Sequence, residues 1–296
     1  MPKKPFISII TGEKDWSNSE LFRILLSRGV ECQLVDILNK KVRFYDIFHI
    51  SNVLVNRIFT DELVSKHYMV IKELASLIEV FNQLSFLVVN SSQSFFFEIS
   101  RLRTFLQLMK FKILFPYFKV YEDNKTFDEL KFPVVIKPNC SGKNFLTAIV
   151  DSKEEGEVFI SENLSKLQHD NFFIIQNYIN SPDRVIYRVK NFGEFKVVLQ
   201  IPCDRISKRE EAKILNDYPP ELLDIAVRIF SATNNQLGSV DILKDSEGKY
   251  YLIDIDATSR FQETDIELYK FNPLEVYADF ILKSFKNKSV KTFRND

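Results

Sequence analysis

Cysteine is sparse in this 296-residue chain: Cys32, Cys140 and Cys203 are scattered, with no C-x-x-C pair. That spacing excludes a disulfide framework or thiolate zinc site and points to a reducing, cytoplasmic setting. Glycine is scarcer still for the length, at seven residues, so each is expected where the backbone needs one. No glycine-rich fingerprint follows the first apolar run, Phe6–Thr11, which argues against a dinucleotide cofactor there. No sign of charge dominates, because 40 Lys and Arg balance 40 Asp and Glu. Nothing in that balance calls for a nucleic-acid or membrane partner. No apolar run approaches a membrane span, and Phe6–Ile10 behind Met-Pro-Lys-Lys-Pro is too short for a signal peptide. His49, His67 and His169 are isolated, and Cys140 has no identifiable base, so a protein nucleophile is not expected.

What is abundant is phenylalanine, at 28 residues, within a hydrophobic share of 45 %. That is ample for a core, and the length suits two or three packed modules. Strand, helix and strand patterns at Phe6–Thr11, Leu21–Ser27 and Glu31–Val35 form a βαβ unit. Further strands at Val53–Asn56 and Ser85–Asn90 flank a helix at Met69–Phe81. Residues 1–90 therefore read as an α/β domain with a parallel sheet. Beyond it, the spacing predicts one helical stretch over Ser94–Phe111 and then mixed strands and helices without βαβ alternation. Two hairpins stand out, at Val185–Ile201 and 239–257. The expected division is 1–90, 91–178 and 179–290, an α/β unit followed by α+β units. The tail Lys283–Asp296 reads as basic, polar and partly loose.

The strongest chemical signal is the last hairpin. Asp254 and Asp256 alternate along one strand and share a face, with Ile253 and Ile255 expected in the core. A register placing Asp241 opposite Leu252 or Asp254 brings a third carboxylate to that face. Three such groups repel unless a cation offsets them, and a hard oxygen-seeking ion such as magnesium suits them, with manganese as the alternative. A second signal is Val135-Ile-Lys137-Pro138 followed by the small polar loop Asn139–Asn144. Backbone N–H groups around Ser141 and Gly142 can hold phosphate oxygens while Lys137 supplies positive charge.

Taken in order, these segments resemble the ATP-grasp superfamily, its RimK-type glutamate ligases and glutathione synthetases in particular. The resemblance rests on Ser100-Arg101-Leu102, Val135-Ile136-Lys137-Pro138, Gln176-Asn177-Tyr178-Ile179, Gly238-Ser239-Val240-Asp241-Ile242-Leu243 and Asp254-Ile255-Asp256. Val53-Leu-Val-Asn-Arg57 and Val88-Val-Asn90-Ser also look like the domain that precedes the grasp. It implies that Arg101 and Lys137 contact ATP phosphates with Ser141 and Gly142, and that Gln176, Asn177, Tyr178 and Ile179 line the adenine. It implies Asp183 for the ribose, and Asp241, Asp254 and Asp256 for magnesium. Arg184, Arg188 and Arg260 become candidates to grip an acyl phosphate or substrate carboxylate, the first two expected on one strand face. The chain departs from the family in its glycine-poor loop, in Asp-x-Asp for Glu-x-Asn, and in Asp204–Lys213 for the usual Asn-Leu-x-x-Gly-Gly stretch.

The resemblance implies acyl-phosphate chemistry, with ATP activating a carboxylate that an amine then attacks. An amino acid, a peptide or a protein tail fits as substrate, and self-association stays open. The rival readings are an ATP-binding regulator without turnover and an ATP-grasp kinase.

Overall fold

The computed structural model describes residues 4–12, 15–38, 47, 51–60, 70–167, 172–204, 206–207 and 211–292, with side chains left undescribed at 204–207 and 289–292. His49, His67 and His169, together with Arg205, Lys208 and Arg209, lie outside these residues.

The chain opens with β1 (Phe6–Thr11), α1 (Trp16–Ser27), β2 (Glu31–Asp36) and β3 (Val53–Asn56). Asp15 caps α1 by accepting from the Asn18 N–H at 3.0 Å, which starts that helix earlier than its apolar pattern predicts. Helix α2 (Val70–Gln83) and β4 (Leu87–Val89) follow. The four strands are parallel in the order β2-β1-β3-β4, as a βαβ chain requires.

Where one helix is predicted over 94–111, two are present, α3 (Ser92–Glu98) and α4 (Arg101–Leu108). Ser100 separates them: it is extended (φ −151°), and its side chain accepts from the Arg103 N–H. A serine that competes for nearby backbone groups favours a cap over a helix interior. The break turns Glu98 and Arg101 toward the same region of the molecule.

Strands β5 (Phe118–Val120), β6 (Val134–Pro138) and β7 (Ala148–Val150), helix α5 (Lys153–Asn163) and β8 (Phe173–Asn177) come next. They form an antiparallel sheet ordered β5-β8-β6-β7. Val134, Ile136, Phe173 and Ile175 face α5 in a closed core, while Val135, Lys137 and Gln176 take the alternate face.

The remainder is β9 (Val185–Asn191), β10 (Lys196–Asp204), β11 (Ile206–Ser207), β12 (Lys213–Ile214), α6 (Pro220–Thr233), β13 (Ser239–Lys244), β14 (Tyr250–Asp256), α7 (Asp265–Tyr269) and α8 (Pro273–Thr292). The sheet runs β11-β10-β9-β13-β14 with β12 on β10. Tyr187, Val189, Val240, Ile242 and Leu252 bury one face against α6. The tail expected to be loose is helical through Thr292, because Leu274, Tyr277, Ala278 and Ile281 form a helical stripe in the core shared with α1 and β1. Among the described residues, no helix is long and apolar enough to cross a membrane.

Candidate active site

The site is built on two cross-strand rows of the large sheet. Arg188 of β9 stands opposite Asp241 of β13, which stands opposite Asp254 of β14. One step along, Lys190 pairs with Ser239 and Ser239 with Asp256. Two like charges directly opposite, Asp241 and Asp254, would oppose the pairing. Arginine offsets them: Arg188 donates two hydrogen bonds to Asp241, Nε to Oδ1 and Nη2 to Oδ2, both at 2.6 Å. The pair is buried, and Asp241 together with Asp256 raises the Arg188 pKa despite its burial. Asp256 lies 4.0 Å from Arg188 Nη2 and accepts from Ser239 Oγ at 3.1 Å, and Asp254 lies 3.5 Å from Arg101 Nη2. Charge that the sequence assigns to a metal is therefore balanced in this structure by two arginines. Among the described residues, no group of three or more His, Cys, Asp or Glu side chains is arranged to hold a metal ion.

A bulge corrects one expectation. Asp241 pairs with Asp254 but the next residue, Ile242, pairs with Leu252, leaving Ile253 as the extra residue. The bulge re-aims Ile253 out of the helix-facing core and into a cleft. Gly238 opens the same hairpin, and a Cβ there would sit 2.1 Å from the Asp256 carbonyl oxygen. Only glycine permits that approach.

The cleft has a volume of about 770 Å³ and lies between two facing sheets. Ile186, Leu243, Ile253 and Cys203 form one wall; Val135, Lys137, Ala148, Ile149 and Gln176 form the other. Asn177, Tyr178 and Ile179 line it as well. The Asn177 and Tyr178 N–H groups are engaged within the protein, donating to Tyr117 O at 2.8 Å and Pro133 O at 3.3 Å. Gln176 Nε2, Asn177 Oδ1 and Ser181 Oγ are buried on this wall with no hydrogen-bond partner among the described residues. Lys137 has its pKa pushed down to about 8 by burial and then by Arg101, against the pull of Asp254 and Asp241.

Not every candidate joins this cleft. Arg184 precedes β9 in a left-handed conformation (φ 49°) and lines the cleft, whereas Arg188 lines a second cavity, so the two do not share one strand face. Asp183 is exposed and accepts from Tyr187 Oη at 3.2 Å, on the sheet face that packs against α6. Arg101 is buried and braces the loop: Nη1 donates to Pro138 O at 2.8 Å and Ser141 Oγ at 2.9 Å. That loop turns through Lys143 and Asn144 at φ 50° and 57°, left-handed conformations taken here without glycine.

The second cavity is small, about 80 Å³, and polar. Ser141, Gly142, Arg188, Asp254, Asp256 and Arg260 line it, along with Glu98 and Lys190, which the sequence reading missed. Arg260 lies 4.1 Å from the Phe59 ring centroid and 3.5 Å from Asp15 Oδ2. Glu98 accepts from Thr60 Oγ1 and from the Ala257 N–H. Burial and then the Asp256 charge push its pKa up to about 8. Lys190 was discoverable, being two residues beyond Arg188 on one strand face. The only signal for Glu98 was a single acid in the apolar run Phe95–Ile99.

No family model matches the chain, and no curated protein matches it. Solved structures do. A RimK-domain ATP-grasp protein from Sphaerobacter thermophilus is 16 % identical, with 94 % of this chain and 99 % of that one covered at a TM-score of 0.71. The D-alanine–D-alanine ligase of Bacillus anthracis is 14 % identical, with 97 % and 99 % covered at 0.72. The ATP-grasp ligase PsnB, in complex with a minimal precursor, is 16 % identical, with 94 % and 98 % covered at 0.68. At such identity the likeness concerns architecture, and on that point the three agree: a parallel four-stranded sheet followed by two antiparallel sheets that face each other across a cleft is, in this chain, the ATP-grasp fold.

Proposed function

We propose that the protein is an ATP-dependent ligase that joins a carboxylate to an amine through an acyl phosphate. One observation carries this reading: the loop after β6 serves both cavities, with Ser141, Gly142 and Lys143 lining the small one and Asn144 lining the large cleft, as Lys137 does. A nucleotide in the first would present its phosphates to the second. The base would lie against Gln176–Ile179, which line the large cleft. Residues 1–90, 91–178 and 179–290 act as a preceding domain, a lid over the nucleotide and the sheet that bears the acidic residues. One neighbour is named a D-alanine–D-alanine ligase and PsnB is in complex with a minimal precursor, so an amino acid or a peptide is the substrate class proposed here.

In the first step a substrate carboxylate oxygen attacks the γ-phosphorus, and ADP leaves with the bonding electrons. In the second, the amine nitrogen attacks the acyl carbon, inorganic phosphate leaves, and the nitrogen loses a proton. Lys137 offsets phosphate charge, Arg101 holds the loop in shape, and Arg188 offers charge where the acyl phosphate forms. Asp254 and Asp256, adjacent on one face with oxygen donors, suit magnesium in its usual mode of one or two carboxylates plus substrate phosphates. Bound there, the ion would neutralise charge on the transferring phosphoryl group. Asp241, held by Arg188, would then serve the arginine rather than the metal.

The test is calorimetry with ATP, with and without magnesium, on the wild type and Asp254→Ala, followed by amine-dependent ADP release. Binding that depends on magnesium in the wild type alone, with release that depends on an amine, supports the ligase. A wild type that binds neither ATP nor ADP sinks it. The arginine-balanced acidic cluster favours one second reading, a nucleotide-binding regulator, which would bind ATP without turnover.

A further inference from the structure

Single apolar side chains are ordinary on a protein surface, but a run of them is not. Leu106, Met109, Phe111, Leu114 and Tyr117 are all exposed, Met109 at 60 %, along the segment that leads from α4 through a 3-10 turn (Met109–Phe111) to β5. The segment is anchored from beneath. Leu108 and Ile113 are buried in the core against α6, and the Phe105, Phe115 and Phe118 rings pack with centroids 4.8 to 5.9 Å apart. Leu114 O accepts from the Leu252 N–H of β14 at 2.9 Å. No acidic residue occurs between Ile99 and Tyr121, whereas five cations do: Arg101, Arg103, Lys110, Lys112 and Lys119. Arg101 is buried and Lys119 pairs with Glu129, while Arg103, Lys110 and Lys112 are exposed. Arg103 lies 4.8 Å from the Phe96 ring centroid, which steadies its guanidinium. Arg103, Leu106 and Lys110 follow spacings of three and four, so one face shows a cation, an apolar group and a cation.

The outer face of α5 carries the inverse pattern. Glu154, Val158 and Glu162 are spaced by four and are all exposed, Val158 at 56 %. Glu155 is exposed beside them, and Leu164 is exposed just beyond the helix. Residues 154–165 contain no Lys or Arg, and Lys153 is engaged by Asp128 at 2.6 Å. At the rise of a helix, the two cations are about 11 Å apart and the two anions about 12 Å apart. The faces therefore match in charge, in their apolar centre and in length.

We propose that α4 and the segment after it form a docking surface for a second copy of this chain, which seats the outer face of its α5 there. Each copy offers both faces, so a pair related by a two-fold axis makes the contact twice. Leu106 and Met109 against Val158 supply the apolar centre, and the flanking charges set register and choice of partner. The inference does not depend on the ligase reading, because these faces stand apart from the residues that line the two cavities.

The experiment is sedimentation velocity of the full chain over a range of concentrations, at about 0.05 M and about 0.5 M salt. The wild type is expected to gain mass with concentration at low salt, with a dissociation constant about ten-fold higher at high salt. Arg103→Glu with Lys110→Glu should remain monomeric, as should Glu154→Lys with Glu162→Lys, melting curves confirming that each variant folds. Mixed in equal amounts, the two variants present opposite charges on both faces and should associate again. If either pair of substitutions prevents folding, Lys110→Glu or Glu162→Lys alone takes its place with the same expectation. A wild type that stays monomeric at every concentration overturns the proposal, whether or not it binds vesicles containing phosphatidylserine or a polyglutamate peptide. Association that survives either charge reversal overturns it as well, as do two monomeric variants that fail to associate on mixing.

Discussion

The two cavities are made in opposite ways. The large cleft is the gap between two sheet faces, and its apolar walls follow from strand alternation in β6, β8, β9 and β13. The small cavity gathers side chains from β3's exit, the end of α3, the loop after β6, and strands β9, β13 and β14 with their following turn. An apolar wall tolerates substitution of similar volume. A polar cavity among buried charges does not, because each group is held by a partner from another segment. Stability and pH sensitivity should therefore concentrate in the small cavity, while the cleft should respond mainly to ligand.

The sharpest way to break this contrast is Asp241→Ala. It strands the Arg188 guanidinium inside the sheet and is expected to lower unfolding free energy by about 3–5 kcal/mol. Ile186→Val in the cleft should cost only about 0.5–1.5 kcal/mol. Denaturant titration compares the two directly, and equal losses would erase the distinction.

Glu98→Gln is next, and its sign is opposite. The folded carboxyl holds its proton up to about pH 8, whereas the unfolded one releases it near its ordinary value, 4.5. Between those values the folded state binds more protons, so stability falls as pH rises. Replacing the acid by the amide should raise stability at pH 7, on the order of 1–3 kcal/mol. Melting curves at pH 4.5 should show little or no gain. A variant that is less stable than wild type at pH 7 would contradict the assignment.

Lys137 extends the pH argument to the large cleft. Its folded pKa, near 8, lies below its ordinary 10.5. The unfolded chain therefore binds the extra proton between those values, and stability without ligand rises with pH across that window. If Lys137 holds phosphate as its ammonium, as proposed, ATP affinity should fall as pH rises past 8, by roughly ten-fold per unit at the limit. Calorimetry at pH 7 and 9 measures this, and Lys137→Arg should flatten the dependence. The smallest effect belongs to Gln176→Leu. Removing an orphaned buried amide should leave the free protein within about 1 kcal/mol of wild type. Nucleotide binding should weaken all the same; if it does not, Gln176 is wall and not contact.

Much of this architecture was readable before any coordinates. Alternation placed Asp254 and Asp256 on one strand face, and the βαβ pattern required the parallel sheet, because period and turn chemistry are local properties. The break at Ser100 was not foreseen, since a capping serine and an interior one look alike until Asn139 approaches it. Nor was the helical course of Lys283–Thr292, which is decided by a stripe at Leu274–Ile281 packing on α1. In the candidate site, Lys137 and Gln176–Ile179 came from linear motifs and line one cleft. Asp183 came from the family resemblance and Arg184 from an expected strand face shared with Arg188, and left-handed geometry at Arg184 parts them from the strand.

The sequence by itself determined the order of elements, the pairing of Asp254 with Asp256 on one strand face and the lysine at the head of the loop. These need only chain stereochemistry and periodicity. Tertiary structure alone decided which charges meet. Arg188 lies 53 residues from Asp241, and Glu98 lies 159 residues from the Ala257 N–H it binds. A bulge of one residue turned Ile253 from core to cleft. Charge balance and burial depend on distance in space, and distance in space is set by packing between sheets that no local pattern encodes.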